Sequence, residues 1–326
     1  MHNWANRIFA INDEKGFNTL SIEAFNYQYK NIKVYNEYCN RLNIKPEQVT
    51  HYRQIPFLPI EFFKTHNISS SNKTQLTFTS SGTTGMQISR HHVANTKLYE
   101  QSFIKAFEQF YGNIQNYCVL ALLPSYLERK GSSLIYMANK LIELSKHADS
   151  GFYLHNYKQL AKKLDRLNQC GQKTLLLGVT YALLDLAEKF PQQLKNTIIM
   201  ETGGMKGQRK EMVREELHST IGKAFNVKTI HSEYGMTELL SQAYSKGNGI
   251  FETPPWMKIL IRDTYDPFTF FDTNRSGGIN IIDLTNIYSC CFIETKDLGK
   301  TFSDNTFTIL GRFDNSDIRG CNLLVG

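Results

Sequence analysis

The 326-residue sequence contains six cysteines but no C-x-x-C pair, and it has no apolar run of about 18 residues. Without paired cysteines at metal-ligand spacing, no zinc site is expected. Irregular cysteine spacing in a chain of this length does not indicate a disulfide framework, so reduced thiols and a cytoplasmic location are expected. The missing apolar run excludes a transmembrane helix and membrane insertion, and the acids in MHNWANRIFAINDEKGF are atypical of a signal peptide.

Basic residues are in excess, with a net charge of +7, but they are not concentrated in one patch. The densest run, KGQRKEMVREE, is interleaved with acids, which is typical of a solvated helix face rather than of a nucleic-acid surface. Nucleic acid is therefore not expected as a partner. Hydrophobic residues make up 41% of the chain and aromatic residues 12%, which is compatible with a well-buried core and an apolar substrate pocket.

Apolar runs alternate with helical patterns in the middle of the chain. Residues 1–75 are predicted to be helical up to about residue 50, after which IPFLPIEFFK, with two prolines, predicts an ordered loop. Residues 76–245 alternate strands such as TLLLGVT with helices such as QRKEMVREELHSTIG, which predicts a mainly parallel, doubly covered sheet. Residues 246–326 hold short strands, including YSCCFIET, and predict a smaller antiparallel section. We expect one α/β domain over 1–326.

The stretch LTFTSSGTTGMQISRHH, residues 76–92, predicts a strand that runs into a hydroxyl-rich loop. Glycines permit close backbone approach, successive N–H groups can bind an anion, and hydroxyls add neutral donors, so the loop suits phosphate oxygens, especially if a helix follows. It is not a nucleotide P-loop, because Gly82 and Gly85 have a different spacing and no lysine follows Gly85. From these residues alone, a phosphate loop and a plain turn both stay open.

Five pieces of the sequence, in order, resemble motifs of the acyl-adenylate-forming superfamily, which includes acyl-CoA synthetases and peptide-synthetase adenylation domains. TSSGTTG resembles its phosphate loop, TGGMKG its glycine turn beside adenine, and YGMTE its Y-G-x-T-E motif. TKDLG resembles T-G-D-x-G, with Lys296 in place of glycine, and GRFDNSDIRG resembles the segment before the hinge. IPFLPIEFFK, LLPSYLERKGSSL and Ser89 in place of a lysine are similar to the acyl-protein synthetase branch, the fatty-acid-activating subunit of bacterial bioluminescence and its relatives.

The resemblance implies the large-domain fold of that superfamily, with helix-covered sheets and a small β-rich C-terminal part. The usual small C-terminal domain with its catalytic lysine is expected to be missing, because the sequence ends six residues after Gly320. The implied reaction is activation of a carboxylic acid, expected to be a fatty acid, as an acyl-AMP, with ATP and Mg²⁺ as cofactors.

The resemblance also implies which residues hold the triphosphate. Thr237 would contact the α-phosphate and Glu238 would be the Mg²⁺ ligand, and both would act in catalysis. The loop that would hold the β- and γ-phosphates consists of Thr79, Ser80, Ser81, Gly82, Thr83, Thr84 and Gly85.

The nucleoside part of ATP would be held by a second set of residues. Tyr234, followed by Gly235, would stack near the adenine, and Gly203 and Gly204 would let the adenine approach the backbone. Two further side chains are implied at the sugar, namely Asp297 on the ribose hydroxyls and Arg312 on the ribose or a phosphate.

The acyl acceptor stays open between a cysteine of this chain, the thiol of a carrier protein and CoA. In the acyl-protein synthetase branch the acyl group passes to a cysteine near the C-terminus of the enzyme, and Cys321, in RGCNLLVG, is so placed. A thiolate is nucleophilic enough to attack an acyl-AMP, and Arg319 would favour the thiolate. An alternative acceptor is the thiol of an acyl-carrier protein, and a reductase partner is compatible with the resemblance.

Two other functions stay open. One is an acyltransferase that uses a pre-activated acyl donor in a lipid, pigment or polysaccharide pathway, and the other is a non-catalytic nucleotide-binding scaffold. Among the histidines, His231 is interpreted either as part of the carboxylate pocket or as a core residue. His91 and His92 are predicted to be ordinary surface residues.

Overall fold

The computed structural model describes residues 3–80, 87–124, 131–204, 209 and 212–313. Its N-terminal section is helical, as predicted, with α1 at Trp4–Ile8, α2 at Glu14–Asn31 and α3 at Lys33–Arg41. The chain is extended at Ile32, which separates α2 from α3 where the sequence pattern runs on without a break. None of the helices in these residues is long and apolar enough to cross a membrane.

A buried glutamine connects the N-terminal helices to the β-rich section by hydrogen bonds. The Gln28 side chain on α2 donates to the carbonyl of Asn286 at 3.0 Å and accepts from the Cys291 N–H at 3.0 Å. Because each polar atom of this fully buried carboxamide has a partner, its burial is not penalised. The N-terminal section therefore packs as part of the same unit as the β-rich section.

The segment IPFLPIEFFK is more regular than the predicted loop. Leu58–Pro59 forms the short strand β1, and Phe62–Thr65 forms the short helix α4. Strand β1 pairs in parallel with a strand more than 230 residues further along the chain, with Leu58 opposite Ile293. The loop prediction was wrong for these two elements because this long-range pairing leaves no periodic signal in so short a stretch.

The hydroxyl-rich loop connects two strands of a hairpin. β2 spans Leu76–Thr79, as predicted, and β3 spans Arg90–Val93, and the two are antiparallel with Phe78 opposite His91. The segment on the far side of the loop is therefore a strand, and α5 begins only at Thr96. Among the described residues, no helix N-terminus therefore follows the loop directly, although one there would have favoured phosphate binding.

Strands and helices alternate in the middle of the chain, which confirms the α/β prediction. The strands are β4 Cys118–Leu122, β5 Gly151–Tyr153, β6 Thr174–Val179, β7 Thr197–Thr202, β8 His231–Tyr234 and β9 Ala243–Ser245. The helices are α5 Thr96–Tyr111, α6 Ser133–Ser145, α7 Tyr157–Gln169, α8 Thr180–Lys189 and α9 Arg214–Phe225. Helix α9 begins at Arg214, several residues later than QRKEMVREELHSTIG predicts, and Met212 and Val213 precede it in non-helical conformation.

The last quarter of the described chain is antiparallel, also as predicted. Its strands are β10 Ile250–Glu252, β11 Met257–Arg262, β12 Phe270–Phe271, β13 Ser276–Asp283, β14 Phe292–Thr301 and β15 Phe307–Arg312. All of these strands join β4–β9 in one sheet of the order β12-β11-β13-β14-β15-β10-β9-β8-β7-β6-β4-β5. In YSCCFIET only the part from Phe292 onward is strand.

The parallel strands β4 to β8 run side by side, so their carboxyl ends share one edge of the sheet. In open α/β sheets this edge is where ligands bind. Gly203 directly follows β7 and Gly235 directly follows β8, which brings two of the predicted motifs to neighbouring positions on this edge.

Candidate active site

A cavity of about 600 Å³ lies at the carboxyl edge of the parallel strands. It is bounded by the end of β2, the turns after β7 and β8, the middle of β14 and the end of β15. Nine of the residues singled out in the sequence line it, namely Thr79, Ser80, Gly203, Tyr234, Gly235, Thr237, Glu238, Asp297 and Arg312. Gly204 is described but is not part of this lining. Ser81, Gly82, Thr83, Thr84, Gly85 and Cys321 lie outside the described residues.

Tyr234, Asp297 and Arg312 form one chain of contacts across the sheet. The Tyr234 hydroxyl donates to Asp297 Oδ2 at 2.7 Å, and Arg312 Nε lies 3.1 Å from Asp297 Oδ1. Burial and the adjacent carboxylate raise the pKa of Tyr234 well above its usual value, so its hydroxyl stays a donor. The tyrosine thus orients the carboxylate that the sequence resemblance places at the ribose.

The backbone of the YGMTE turn is held from two sides. His91 on β3 contacts the Thr237 carbonyl through Nδ1 at 2.8 Å, and the Asn286 amide donates to the Glu238 carbonyl at 2.8 Å. Because a carbonyl only accepts, His91 carries its proton on Nδ1. Directly after the turn, both the Leu240 and the Ser241 N–H groups donate to a buried Asp283, at 2.8 and 2.9 Å.

His91 is fully buried, so its prediction as a surface residue was wrong. Burial lowers its pKa to about 4, and the bond to Thr237 offsets this only in part. Its Nε2 is buried and has no hydrogen-bond partner among the residues that the structure describes. His92, on the other face of β3, is partly exposed and contacts Thr77 at 3.0 Å. In a hairpin, alternate residues face opposite sides, so one of two adjacent histidines had to face the core.

Glu238 is a buried carboxyl group at the wall of the cavity, with 5% of its surface exposed. Burial raises its pKa, while a hydrogen bond from the Ser89 side chain and the charges of Arg312 and Lys64 act in the opposite direction. A buried carboxylate without a paired cation attracts a metal ion when one is available.

The described residues fit a magnesium ion that is shared with a phosphate. They contain no cluster of three or more His, Cys, Asp or Glu side chains that could hold a metal by themselves. Magnesium is commonly bound by one or two carboxylates together with substrate phosphates. Glu238 provides such a carboxylate beside a cavity large enough for the phosphates.

The ends of the hydroxyl-rich loop are fixed by reciprocal hydrogen bonds. The Ser80 N–H donates to the Ser89 carbonyl at 3.1 Å, and the Ser89 N–H donates to Ser80 Oγ at 2.9 Å. The Thr79 N–H donates to the carbonyl of Gly131 at 2.8 Å. Gly131 has a φ of +89°, and a side chain there would reach 2.9 Å from Thr79 Oγ1, so only glycine fits this approach.

A pair of carboxyl groups beside the cavity could not be recognised in the sequence. Glu201 on β7 receives hydrogen bonds from Ser232 and Thr180, at 2.9 and 3.0 Å, while Glu233 receives one from Thr202. Burial opposes ionisation of Glu201, but contacts with His218 and Ser232 outweigh it and lower its pKa.

Glu233 behaves in the opposite way. Burial raises its pKa to about 7, against the hydrogen bond from Thr202, and the nearby charge of Glu201 raises it further. A side chain at Gly235 would approach Glu233 Oε1 to 2.6 Å, so a larger residue at that position would displace the Glu233 side chain. Glu201 and Glu233 are on strands. The sequence around a single acidic residue on a strand does not indicate which residue of the next strand it contacts.

His231 is half-buried and lies outside the cavity lining, which does not support its interpretation as part of the carboxylate pocket. Its Nδ1 lies 3.2 Å from the Tyr111 hydroxyl. Lys296, which replaces a glycine of the superfamily motif, forms an ion pair with Glu61 at the rim of the cavity.

Comparison with known proteins agrees with this geometry. The model of the family described as "Acyl-protein synthetase, LuxE" matches residues 8–326. The chain belongs to this family. As a LuxE-family acyl-protein synthetase it is an enzyme, a ligase of the acyl-adenylate type.

Two relatives of this LuxE-family chain carry the same name. A long-chain-fatty-acid–luciferin-component ligase of Vibrio harveyi is 22% identical over 336 residues, which cover 92% of this chain and 84% of that protein. Its namesake in Photorhabdus luminescens is 33% identical over 76 residues, which cover 23% of this chain and 65% of that sequence.

Solved structures share the fold of this LuxE-family chain. A 2-hydroxyisobutyryl-CoA ligase in the postadenylation state superimposes with a TM-score of 0.70 at 10% identity, over 92% of this chain and 68% of that one. ATP-bound MatB from Rhodopseudomonas palustris gives a TM-score of 0.56 at 15% identity, over 72% of this chain. The chain spans about half of the MatB chain, 47% of its length. These similarities confirm the predicted acyl-adenylate-forming fold.

Proposed function

We propose that this LuxE-family chain activates a carboxylic acid with ATP to form an acyl-AMP and then transfers the acyl group to a protein thiol. The observation that carries the proposal is the convergence of Thr237, Glu238 and Asp297 on one cavity, which the end of β2 also borders. A long-chain fatty acid is the expected substrate, because it is the acid in the names of both relatives.

In the first half-reaction, a carboxylate oxygen of the acid attacks the α-phosphorus of ATP. The bond to the α-phosphorus forms as the bond to the bridging oxygen breaks, and pyrophosphate leaves with the electron pair. Thr79 and Ser80, with the loop from Ser81 to Gly85, would hold the β- and γ-phosphates, and Thr237 would hold the α-phosphate. Such groups act mainly by positioning the reactants and by stabilising charge.

Magnesium, held through the Glu238 carboxylate, would neutralise charge on the phosphates. Asp297 would accept hydrogen bonds from the ribose hydroxyls while Tyr234 keeps its orientation, and Arg312 would neutralise the aspartate or reach a phosphate. Gly203, at the end of β7, leaves the backbone open to a planar base, and a Cβ atom added to Gly204, directly after it, would meet no other atom within 4 Å. Stacking of Tyr234 on the base stays a prediction.

In the second half-reaction, a thiolate would attack the acyl carbon and AMP would leave. No cysteine in the described part of the chain is suited to this step. Cys39, Cys118, Cys290 and Cys291 are buried, burial raises their pKa values, and Cys170, which is exposed, does not line the cavity. We propose Cys321 or the thiol of a partner such as an acyl-carrier protein as the acceptor.

The test is carboxylate-dependent ATP–pyrophosphate exchange over a panel of acids from acetate to palmitate plus aromatic acids. Wild-type protein should exchange with at least one acid in the presence of Mg²⁺. Glu238→Gln should reduce exchange by a factor of about 100 or more, because a neutral amide binds Mg²⁺ poorly. Glu252→Gln, which changes an exposed acid outside the cavity, is the matched control and should leave exchange unchanged.

Cys321→Ser separates the two acceptors. Exchange should survive this substitution, and radiolabelled acid should then fail to label the chain if Cys321 is the acceptor. Labelling of a carrier protein by the variant would assign the acceptor to the carrier. Absence of exchange with every acid, from folded protein with Mg²⁺, would contradict the ligase proposal and favour an acyltransferase that uses a pre-activated donor.

A further inference from the structure

The predicted phosphate loop has no lysine, although a triphosphate carries several negative charges. Ser89 stands where the superfamily motif has its lysine, and it is 2% exposed and hydrogen-bonded to the loop. A hydroxyl donor cannot neutralise phosphate charge as an ammonium or guanidinium group does. Mg²⁺ would neutralise part of that charge, and a cationic side chain elsewhere on the wall of the cavity would neutralise more of it.

Four cationic side chains line the cavity in the described part of the chain, namely Lys64, Arg214, Lys296 and Arg312. Three of them have other partners. Arg214 donates to the Ile309 carbonyl and lies over the Phe251 ring. Lys296 is paired with Glu61, and Arg312 with Asp297.

Lys64 differs from the other three. It makes no ion pair and no hydrogen bond through its ammonium group with the described residues, and its nearest acid in sequence, Glu61, is occupied by Lys296. Lys64 is exposed and lines the same cavity as Glu238 and Thr237. Its ammonium group is therefore available for an anionic ligand in that cavity.

The backbone around Lys64 is fixed against strand β3 of the hairpin. The preceding residue, Phe63, is 1% exposed and packs edge-on against His91, with ring centroids 5.7 Å apart. His91 belongs to β3, which directly follows the loop segment ending at Ser89. The short helix α4 therefore carries Lys64 in a fixed position relative to the hairpin, whereas the side chain itself can move to meet a ligand.

We propose that Lys64 is a catalytic residue of this site. Its ammonium group binds the β- and γ-phosphates of ATP and the pyrophosphate product, in place of the lysine missing from the loop. This inference rests on the proposed function. The ammonium group would donate charge-assisted hydrogen bonds to phosphate oxygens and would stabilise the charge that accumulates on pyrophosphate as the bond to the α-phosphorus breaks.

The experiment compares Lys64→Met, which keeps most of the side-chain length without the charge, with Lys64→Arg, which keeps the charge. Lys162→Met, at an exposed position on α7 outside the cavity, is the matched control. Three ligands are titrated in the presence of Mg²⁺ by calorimetry, namely ATP, pyrophosphate and a non-hydrolysable acyl-sulfamoyl adenosine. The last of these lacks the β- and γ-phosphates.

Lys64→Met should weaken binding of ATP and of pyrophosphate by a factor of about 10 or more, and binding of the acyl-sulfamoyl adenosine by less than about twofold. Lys64→Arg should restore ATP binding to within about threefold of wild type. The salt dependence of ATP binding should also become weaker in Lys64→Met, because one fewer charge is in contact with the ligand.

Equal affinities of Lys64→Met and wild type for ATP and pyrophosphate would overturn the inference. So would a parallel loss of affinity for all three ligands, which indicates a structural role. The outcomes also separate this inference from the proposed function. A protein that binds ATP through Lys64 but shows no pyrophosphate exchange with any acid would refute acid activation and retain the polyphosphate site. No binding of ATP or pyrophosphate by wild type would refute both.

Discussion

The Tyr234 hydroxyl and the Asp297 carboxylate are joined by a 2.7 Å hydrogen bond between strands that are not neighbours in the sheet. The ring of Tyr234 packs edge-on against Phe251 and Phe307, with centroids 6.1 and 5.9 Å away. Tyr234 and Asp297 are both at least nine-tenths buried, so the hydrogen bond between them is shielded from water. Tyr234 is thus better described as the residue that orients the predicted ribose ligand than as a stacking ring alone.

Tyr234→Phe is expected to raise the KM for ATP about three- to tenfold and to lower stability by about 1–3 kcal/mol, because a buried carboxylate loses a donor. Tyr35→Phe is the matched control. Tyr35 is fully buried and donates to the Pro56 carbonyl at 2.6 Å, away from the cavity. Loss of the Tyr35 hydroxyl should lower the stability of the protein and leave the KM for ATP unchanged. An equal KM for ATP in Tyr234→Phe and wild type would disprove the orienting role.

Glu233→Gln is expected to remove a pH dependence of stability. The pKa of Glu233 is raised from 4.5 to about 7 in the folded protein, so between these values the folded state holds a proton that the unfolded state has lost. Its contribution is fully present below about pH 4.5 and is lost as pH rises through 7. Denaturant unfolding at half-unit intervals should show wild type losing up to about 1.4 kcal/mol per pH unit relative to the variant. A constant difference over this range would contradict the assignment.

His91→Leu is expected to act on the YGMTE turn, since it leaves the Thr237 carbonyl without its donor. Pyrophosphate exchange should fall about tenfold, which corresponds to the loss of one hydrogen bond in the active geometry. The pKa of His91 is lowered from 6.5 to about 4, so in wild type its contribution to stability is present above pH 6.5 and decreases as pH falls toward 4. This acid sensitivity should be smaller in His91→Leu.

The control for His91→Leu is His155→Leu, at an exposed position outside the cavity, which should change neither exchange nor acid sensitivity. Urea unfolding at pH 5 and pH 7 measures the second effect. If His91→Leu and His155→Leu both show the same acid sensitivity as wild type, the burial of a neutral His91 does not cause the acid sensitivity.

Local patterns were sufficient for much of the fold. Apolar strands such as Cys118–Leu122 and Thr174–Val179 are buried along their whole length, so each forms a continuous apolar run that a parallel, covered strand requires. The strand before the hydroxyl-rich loop and the strand before YGMTE were predicted for the same reason. The resemblance supplied the candidate site residues, nine of which the structure brings to one cavity.

What could not be predicted depends on contacts between distant parts of the chain. β1 exists because Leu58 meets Ile293, and His91 is buried because α4 and the YGMTE turn cover it. The Glu201 and Glu233 pair arises from the register of β7 against β8, in which Glu201 lies opposite Ser232. Sequence periodicity does not indicate the register between two strands. An acidic residue on a strand gives the same pattern whether its carboxylate contacts water or a buried threonine.

The position of β15 has a consequence for synthesis of the protein. This strand, Phe307–Arg312, lies between β10 and β14, and through it the two halves of the sheet are joined. A nascent chain emerges from the ribosome in sequence order. Tyr234 on β8 and Asp297 on β14 are therefore synthesised before β15, the strand that lies between β10 and β14 in the sheet. Until β15 has emerged and inserted, β10 has an unpaired edge, and so has the part of β14 from Asp297 to Thr301, whereas Ile293 and Glu294 pair with β1. The cavity that Tyr234 and Asp297 line is therefore completed only late in synthesis.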